Sequence, residues 1–131
     1  MKLNWILWVA QIVLALMFLM AAAAKLTATD AALAAQYVPP PSFMRGIAVL
    51  EVLGAIGLVV PGLARIRTGL TPLAAAGLTI IMVGAVVTTL MSGAAGVAVP
   101  LGLGILAAFV AYGRGRLSPL PERSGPSPQA A

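Results

Sequence analysis

The sequence predicts an all-α fold, a polytopic membrane protein built as a bundle of four transmembrane helices. Of its 131 residues, 61% are hydrophobic and only 8% are charged, and the mean hydropathy is +1.06. A soluble domain normally carries about a quarter charged residues. The chain also contains four continuous apolar runs of at least 19 residues. A helix of that length spans about 28 Å at ~1.5 Å per residue, which matches a hydrocarbon core of roughly 30 Å.

The first predicted span, residues 4–25, has a polar face and an apolar face. The polar face contains Asn4, Gln11 and Lys25, and together with Phe18 these residues recur every seven positions. The opposite face carries the bulky aliphatic side chains, at Ile6, Val9, Val13, Leu16 and Met20. Because polar groups inside a span turn away from lipid, the first face is expected to point into the bundle. The run also resembles a cleavable signal peptide, but it exceeds the roughly 7–15 apolar residues of a signal core, so we expect it to be retained.

The other three predicted spans each carry a face of small residues. The second span, residues 44–63, places Glu51 on one face with Ala48, Gly54 and Ala55. The third span, residues 69–91, aligns Gly77, Gly84 and Thr88, and the fourth, residues 95–112, aligns Pro100, Gly104, Ala108 and Ala111. Since small residues let helix backbones approach closely, these faces predict a packed bundle. A chain rich in Ala and Gly would also produce such faces through composition alone.

The segments outside the spans predict the connections and the orientation. Thr27, Thr29 and Asp30 are expected to cap a short Ala-rich helix between the first two spans. Residues 113–131 hold four prolines and three serines without apolar periodicity, which predicts a disordered cytoplasmic tail. With four spans, one side of the membrane receives six of the eight basic residues, which are Lys2, Arg65, Arg67, Arg114, Arg116 and Arg123. The positive-inside rule then predicts a multi-pass protein of the cell membrane with both termini in the cytoplasm.

The residue types that are missing exclude several classes of function. The chain has no Cys and no His, so it offers no thiolate nucleophile, disulfide, cluster-ligating thiolate or histidine haem ligand. Its three acids, Asp30, Glu51 and Glu122, lie far apart along the chain, which argues against a metal site. The net charge of +5 comes from residues near span ends rather than from a basic patch with aromatics, so nucleic acid is not an expected partner. No catalytic residue, metal or cofactor is predicted for the chain alone.

Glu51 is the most informative residue, because a carboxylate inside a span costs about 2.5–3.5 kcal/mol even on lenient insertion scales. It lies about 12 Å inside the start of the second helix, on the side where Lys25 ends the first helix. We predict a polar cluster of Glu51 with Lys25, flanked by Thr88 and Thr89. Either the pair fixes the register of the helices, or Glu51 exchanges protons beside a quinone or substrate pocket.

Three further polar residues have lesser expected roles. Gln11 lies deep in the first span and is expected to form an interhelical hydrogen bond rather than to bind a ligand. Asn4 is expected to cap the first helix at the interface. Arg45 precedes Glu51 on the same helix and is expected to lie among the lipid headgroups.

Three segments together resemble the DoxX-like family of small membrane proteins. The first helix has a Phe, small residues and then Lys-Leu, here FLMAAAAKL at residues 18–26. The second carries a Glu, small residues and a Leu-rich run ending in Pro, here IAVLEVLGAIGLVVP at residues 47–61. The third ends in a Gly-Ala and Thr motif, here MVGAVVTTL at residues 82–90. Many members have Gly before the Lys-Leu and His after that Thr; this chain has Ala24 and Thr89 there, so a role that requires the imidazole does not transfer.

The resemblance implies a non-catalytic membrane subunit or anchor of a quinone-linked redox complex, such as a thiosulfate:quinone oxidoreductase. Its redox cofactors would belong to a partner, and quinone is the ligand that such a role implies. Other relatives act as assembly factors, so that role stays open, as does a homo-oligomer. The residues also allow a small proton-coupled transporter that uses Glu51, although four-span multidrug exporters carry their membrane Glu in the first helix. The chain is not expected to be an enzyme on its own.

Overall fold

The computed structural model describes residues 2–37, 39–91, 93 and 96–122. Within these residues the chain forms five α-helices and a terminal π-helix, and no strand occurs. The elements are α1 Lys2–Thr27, α2 Asp30–Gln36, α3 Pro41–Ala64, α4 Leu70–Met91, α5 Ala98–Tyr112 and the π-helix Gly113–Leu117. Four helical stretches are long and apolar enough to cross a membrane: α1, α3, α4 and the stretch from Ala98 to Leu117. The predicted all-α membrane bundle is confirmed.

The four long helices form a closed bundle around one core. α1 packs on α3, α3 also packs on α4, α4 packs on α5, and α5 touches α1. The largest fully buried apolar side chains of the core are Leu7, Leu14, Phe18, Leu58, Leu78 and Val110. Many other large apolar side chains face outward, which is the surface that lipid requires. Consecutive long helices run in opposite directions, so the bundle has two ends, which we name the Lys25 end and the Arg114 end.

The inward faces predicted for α1 and α3 are confirmed. On α1 the buried residues include Gln11, Ala15, Phe18, Ala22 and Lys25. On α3 they include Ala48, Glu51 and Ala55. The aliphatic residues predicted to lie opposite, such as Leu16 on α1 and Leu53 on α3, are exposed. Three polar residues on α1 and one on α3 were enough to identify the face that avoids lipid.

The small-residue face predicted for α4 is wrong, and the face predicted for α5 is confirmed only at Gly104 and Ala111, which pack against the bundle. Gly77, Gly84 and Ala108 are exposed, and the buried residues are instead Thr71, Ala75, Leu78 and Met82 on α4 and Ala107 and Val110 on α5. The reason is that α4 presents large side chains to glycines on its neighbours. A Cβ on Gly54 of α3 would lie 2.7 Å from Leu78 Cδ2, and a Cβ on Gly104 of α5 would lie 3.1 Å from Met82 Cβ.

The connection between α1 and α3 contains the expected short helix. Thr29 is the N-cap of α2, and its Oγ1 accepts a hydrogen bond of 3.1 Å from the Ala32 N–H, as predicted from its position. α3 then begins with Pro41, which suits the first turn of a helix because the N–H that proline lacks has no partner there.

The segment after Tyr112 differs from the disordered tail that the sequence predicts from residue 113. Gly113–Leu117 continues α5 as a π-helix, and the next residues fold back onto the loop between α3 and α4. Leu120 is buried, its carbonyl accepts a hydrogen bond from Thr68 Oγ1, and Glu122 Oε1 accepts one of 3.0 Å from the Thr68 N–H. Composition did not show these contacts, because they join positions far apart in the sequence. The rest of the predicted tail, residues 123–131, lies outside the described residues.

Candidate functional site

A buried ion pair joins α1 to α3 at the Lys25 end of the bundle. Lys25 stands in the last turn of α1, and its Nζ lies 2.5 Å from Glu51 Oε1. Glu51 is fully buried and Lys25 is 9% exposed. The polar face of α1 and the small-residue face of α3 both point into the bundle, so Lys25 and Glu51 lie opposite each other. Removing two charges from water is costly, and their attraction offsets that cost only when the remaining polar atoms are also hydrogen-bonded.

The second oxygen of the Glu51 carboxylate has no hydrogen-bond partner among the residues that the structure describes. In the described part of the chain, Oε2 is a buried side-chain oxygen that accepts no hydrogen bond. The large majority of buried polar side-chain atoms are hydrogen-bonded, because the desolvation of an unpaired acceptor is costly. Glu51 Oε2 is therefore an acceptor for a donor that the described residues do not provide.

A partly open cavity of about 560 Å³ lies beside this carboxylate. Its wall is mostly apolar and comes from the three helices α1, α3 and α4 and from the α2–α3 connection. The lining residues are Lys25, Tyr37, Pro39, Pro40, Phe43, Met44, Ile47, Glu51, Ile80, Ile81, Met82, Gly84, Ala85, Thr88 and Thr89. Binding sites for small organic molecules have about this size and this mixture of apolar wall and few polar groups. In the described residues no three Asp, Glu, His or Cys side chains group as metal ligands would.

The four residues of the predicted polar cluster all line this cavity. Lys25 and Glu51 form its charged wall, and Lys25 Nζ also lies 5.9 Å from the centre of the Tyr37 ring. Thr88 and Thr89 contribute from the end of α4, where Thr88 Oγ1 donates a hydrogen bond of 3.2 Å to the Ala85 carbonyl. The structure thus brings together residues that are up to 64 positions apart in the sequence. Whether the cluster binds a ligand stays a prediction.

Arg45, which was expected among the lipid headgroups, forms hydrogen bonds that hold the end of α1. Its guanidinium donates to the carbonyls of Lys25 and Leu26 at 3.3 Å and of Ala28 at 2.9 Å. It also pairs with Asp30 Oδ1 at 2.6 Å. The last carbonyls of a helix have no partner within the helix and carry partial negative charge, so a cation satisfies them well. Arg45 therefore fixes the turn of α1 that carries Lys25.

A second polar network occupies the Arg114 end. Arg114 is 2% exposed, and its Nε donates a hydrogen bond of 2.6 Å to Gln11 Oε1. Its Nη1 donates to Asn4 Oδ1 at 2.7 Å and to the Ser118 carbonyl at 2.9 Å. Gln11 Nε2 in turn donates to the Leu58 carbonyl at 2.5 Å, which is the interhelical hydrogen bond that was predicted. These bonds join α1, α3 and the terminal π-helix.

The sequence reasoning assigned Asn4 the wrong role and missed Arg114. Asn4 lies inside α1 rather than capping it, and its side chain accepts from Arg114 instead. Arg114 had been counted only among the basic residues that set orientation. One signal was available: Asn4 and Gln11 on the inward face of α1 need a donor from another helix, and Arg114 lies at the matching end of the last span.

Comparison with known families decides the classification of the chain. The model of the DoxX-like family matches residues 9–111, which include the ion pair and the cavity. The chain belongs to the DoxX-like family. The matched region ends before Arg114, so the network at that end lies partly outside it. No curated protein and no solved structure matches this DoxX-like chain.

Proposed function

We propose that this protein is the non-catalytic membrane component of a quinone-linked redox complex. It holds a quinone-type molecule within the bilayer, while the redox centres belong to a partner subunit. The observation that carries the proposal is the apolar cavity of about 560 Å³ with the Lys25–Glu51 pair in its wall. Family membership supports a small integral membrane protein and is compatible with this role.

The lining of the cavity supports a flat, lipid-soluble ligand. Tyr37 and Phe43 contribute aromatic rings, and aliphatic side chains from α3 and α4 form most of the remaining wall. Ile80 and Gly84 are exposed on α4, so the cavity opens on a surface that faces lipid. A molecule dissolved in the bilayer would reach the ion pair by this route without crossing water.

The absence of Cys and His from the sequence supports a partner for the redox chemistry. Thiolates and imidazoles are the usual protein ligands of iron–sulfur clusters and haem. A quinone bound here therefore needs an electron donor or acceptor on another chain. The positive-inside count further supports an orientation with both termini in the cytoplasm. Single cysteines introduced at each end, with a membrane-impermeant thiol reagent, test that orientation.

Co-purification is the direct test of the proposed function. The tagged full-length protein is crosslinked in native membranes and extracted in a mild detergent. A redox protein that carries its own cofactor and reduces or oxidises quinone is expected to co-purify. Recovery of only monomers or homo-oligomers would contradict the proposal, as would substrate turnover or haem binding by the chain alone. A partner without redox activity would point to the assembly role instead.

A proton-coupled transporter is the second candidate. It is favoured by Glu51 Oε2, which has no partner within the described ranges, and by the partly open cavity that Glu51 lines. Loss of proton-driven efflux in Glu51→Gln would support it, whereas unchanged drug sensitivity after deletion and overexpression would reject it. The packing of the bundle favours the first proposal. Leu14, Phe18 and Leu58 are fully buried between the cavity and the Arg114 end, so this conformation supports a binding site rather than a path across the membrane.

A further inference from the structure

We infer that the cavity selects ligands by hydrogen-bond donation, and so binds the hydroquinone form of its ligand in preference to the quinone form. The choice of a quinone-type ligand rests on the proposed function. The requirement for a donor rests on the geometry of Glu51 alone. Any lipid-soluble ring with a hydroxyl group in the same position satisfies that requirement.

The two oxygens of Glu51 differ in what they can still accept. Oε1 lies 2.5 Å from Lys25 Nζ, whereas Oε2 is buried without a donor in the described part of the protein. A carboxylate paired with an ammonium only accepts hydrogen bonds. The carbonyl oxygen of a quinone also only accepts, so it leaves Oε2 unsatisfied and places two partial negative charges together. A hydroxyl group donates to Oε2 and removes the unpaired acceptor.

Lys25 does not reverse this preference. An ammonium has three donors, so its remaining N–H groups are able to reach a ligand oxygen. Both a carbonyl and a hydroxyl oxygen accept such a bond, so this contact does not distinguish the two ligand forms. The hydroxyl alone bridges Lys25 Nζ and Glu51 Oε2. The discriminating interaction is therefore the bond to Oε2.

A hydrogen bond to a charged group changes affinity by about ten- to hundredfold when its loss leaves the group buried and unpaired. We expect the hydroquinone to bind at least tenfold more tightly than the quinone with the same tail. Tighter binding of the reduced form makes reduction easier. A tenfold preference therefore raises the midpoint potential of the bound two-electron couple by about 30 mV.

The test uses the purified full-length protein in lipid nanodiscs and two matched pairs of probes. The first pair is a short-tailed benzoquinone and its hydroquinone, titrated anaerobically. The second pair is a phenol with the same tail and its methyl ether, which differ in hydrogen-bond donation without any redox change. The hydroquinone and the phenol are expected to bind at least tenfold more tightly than their partners. Equal binding within either pair would overturn the inference, as would no binding of any probe.

Three variants assign the effect to this cavity. Glu51→Gln offers both a donor and an acceptor, so the preference within each pair is expected to fall below about threefold. Gly84→Leu places a side chain in the cavity, since a Cβ there meets nothing within 4 Å, and is expected to abolish binding. Gly77→Leu is the matched control on the same helix: Gly77 also has open space but lies outside this cavity, and binding is expected to persist. Binding unaffected by Gly84→Leu would overturn the assignment.

The outcomes separate this inference from the proposed function. If a redox partner co-purifies but the probes bind without preference, only the donor requirement fails. If the probes discriminate but no redox partner is found, the donor site stands and the redox role fails. The phenol and methyl ether comparison uses the unmodified protein, so it remains decisive even if Glu51→Gln does not fold.

Discussion

Replacement of Arg114 by Lys tests the network that joins the first and last helices. The substitution keeps the positive charge and removes the planar fork of donors. Arg114 reaches Gln11 Oε1 at 2.6 Å, Asn4 Oδ1 at 2.7 Å and two backbone carbonyls. A lysine ammonium is compact and carries three donors at one point, so it cannot meet acceptors placed around a guanidinium. At least two of these bonds are expected to be lost.

The expected loss of stability is about 2–3 kcal/mol. Interhelical hydrogen bonds in membrane proteins average about 0.6 kcal/mol and reach roughly 1.7. Bonds to a charged donor are about twice as strong as neutral ones. The loss of two such bonds therefore gives about 2–3 kcal/mol. Arg114 Cζ also lies 5.5 Å from the centre of the Trp8 ring, and the loss of this contact adds at most a small amount.

Reversible unfolding in mixed detergent–SDS micelles measures this change as a free energy. Arg116→Lys is the matched control, because Arg116 is exposed in the same π-helix, and its effect is expected to stay within about 0.5 kcal/mol. A double-mutant cycle with Gln11→Leu should show that Arg114→Lys costs less once Gln11 is gone. Equal stability of Arg114→Lys and Arg116→Lys would refute the reasoning.

Two further predictions concern the packing between helices, and the same unfolding assay measures both. Lys25→Met leaves the Glu51 carboxylate buried without a cation and is expected to lower the free energy of unfolding by about 3–5 kcal/mol, and a further Glu51→Leu change should restore most of it. Equal stability of the single and double variants would show that the pair is not coupled. Gly57→Ala brings a Cβ to 2.8 Å from Ala74 Cβ and is expected to lower the free energy of unfolding by about 1–3 kcal/mol. In the control Gly77→Ala the added Cβ meets nothing within 4 Å, so this change should not destabilise the protein.

The sequence predicted the fold and one wall of the candidate site for a clear physical reason. Lipid makes a polar side chain in a span so costly that its position identifies the inward face. Gln11 and Lys25 on α1 and Glu51 on α3 therefore fixed two helix faces and one ion pair. α4 and α5 contain no charged or amide side chain in their apolar stretches, and the rule that small residues face the neighbour was wrong for Gly77 and Ala108.

The remaining features depend on which distant segments meet, and no local pattern encodes that. Leu78 packs over Gly54, so a small residue on one helix pairs with a large one on the next. Arg45 and Arg114 had been assigned to the membrane surface because basic residues near span ends normally set orientation. In the folded chain each has acceptors on another helix. The burial of Arg114 and the hydrogen bonds of Arg45 follow from the tertiary arrangement rather than from their neighbours in sequence.

The three acids show why the cavity at the Lys25 end is the place to seek a function. Asp30 pairs with Arg45, and Glu122 accepts hydrogen bonds from Thr68, both outside the long apolar stretches. Glu51 lies within a span, with one oxygen bound to Lys25 and the other unpartnered in the described residues. Helix register alone does not need a charge here, since an apolar pair of similar volume is often as stable. A role in helix register would also not require a cavity large enough for a ring beside Glu51. The buried carboxylate and the cavity together therefore argue for a ligand.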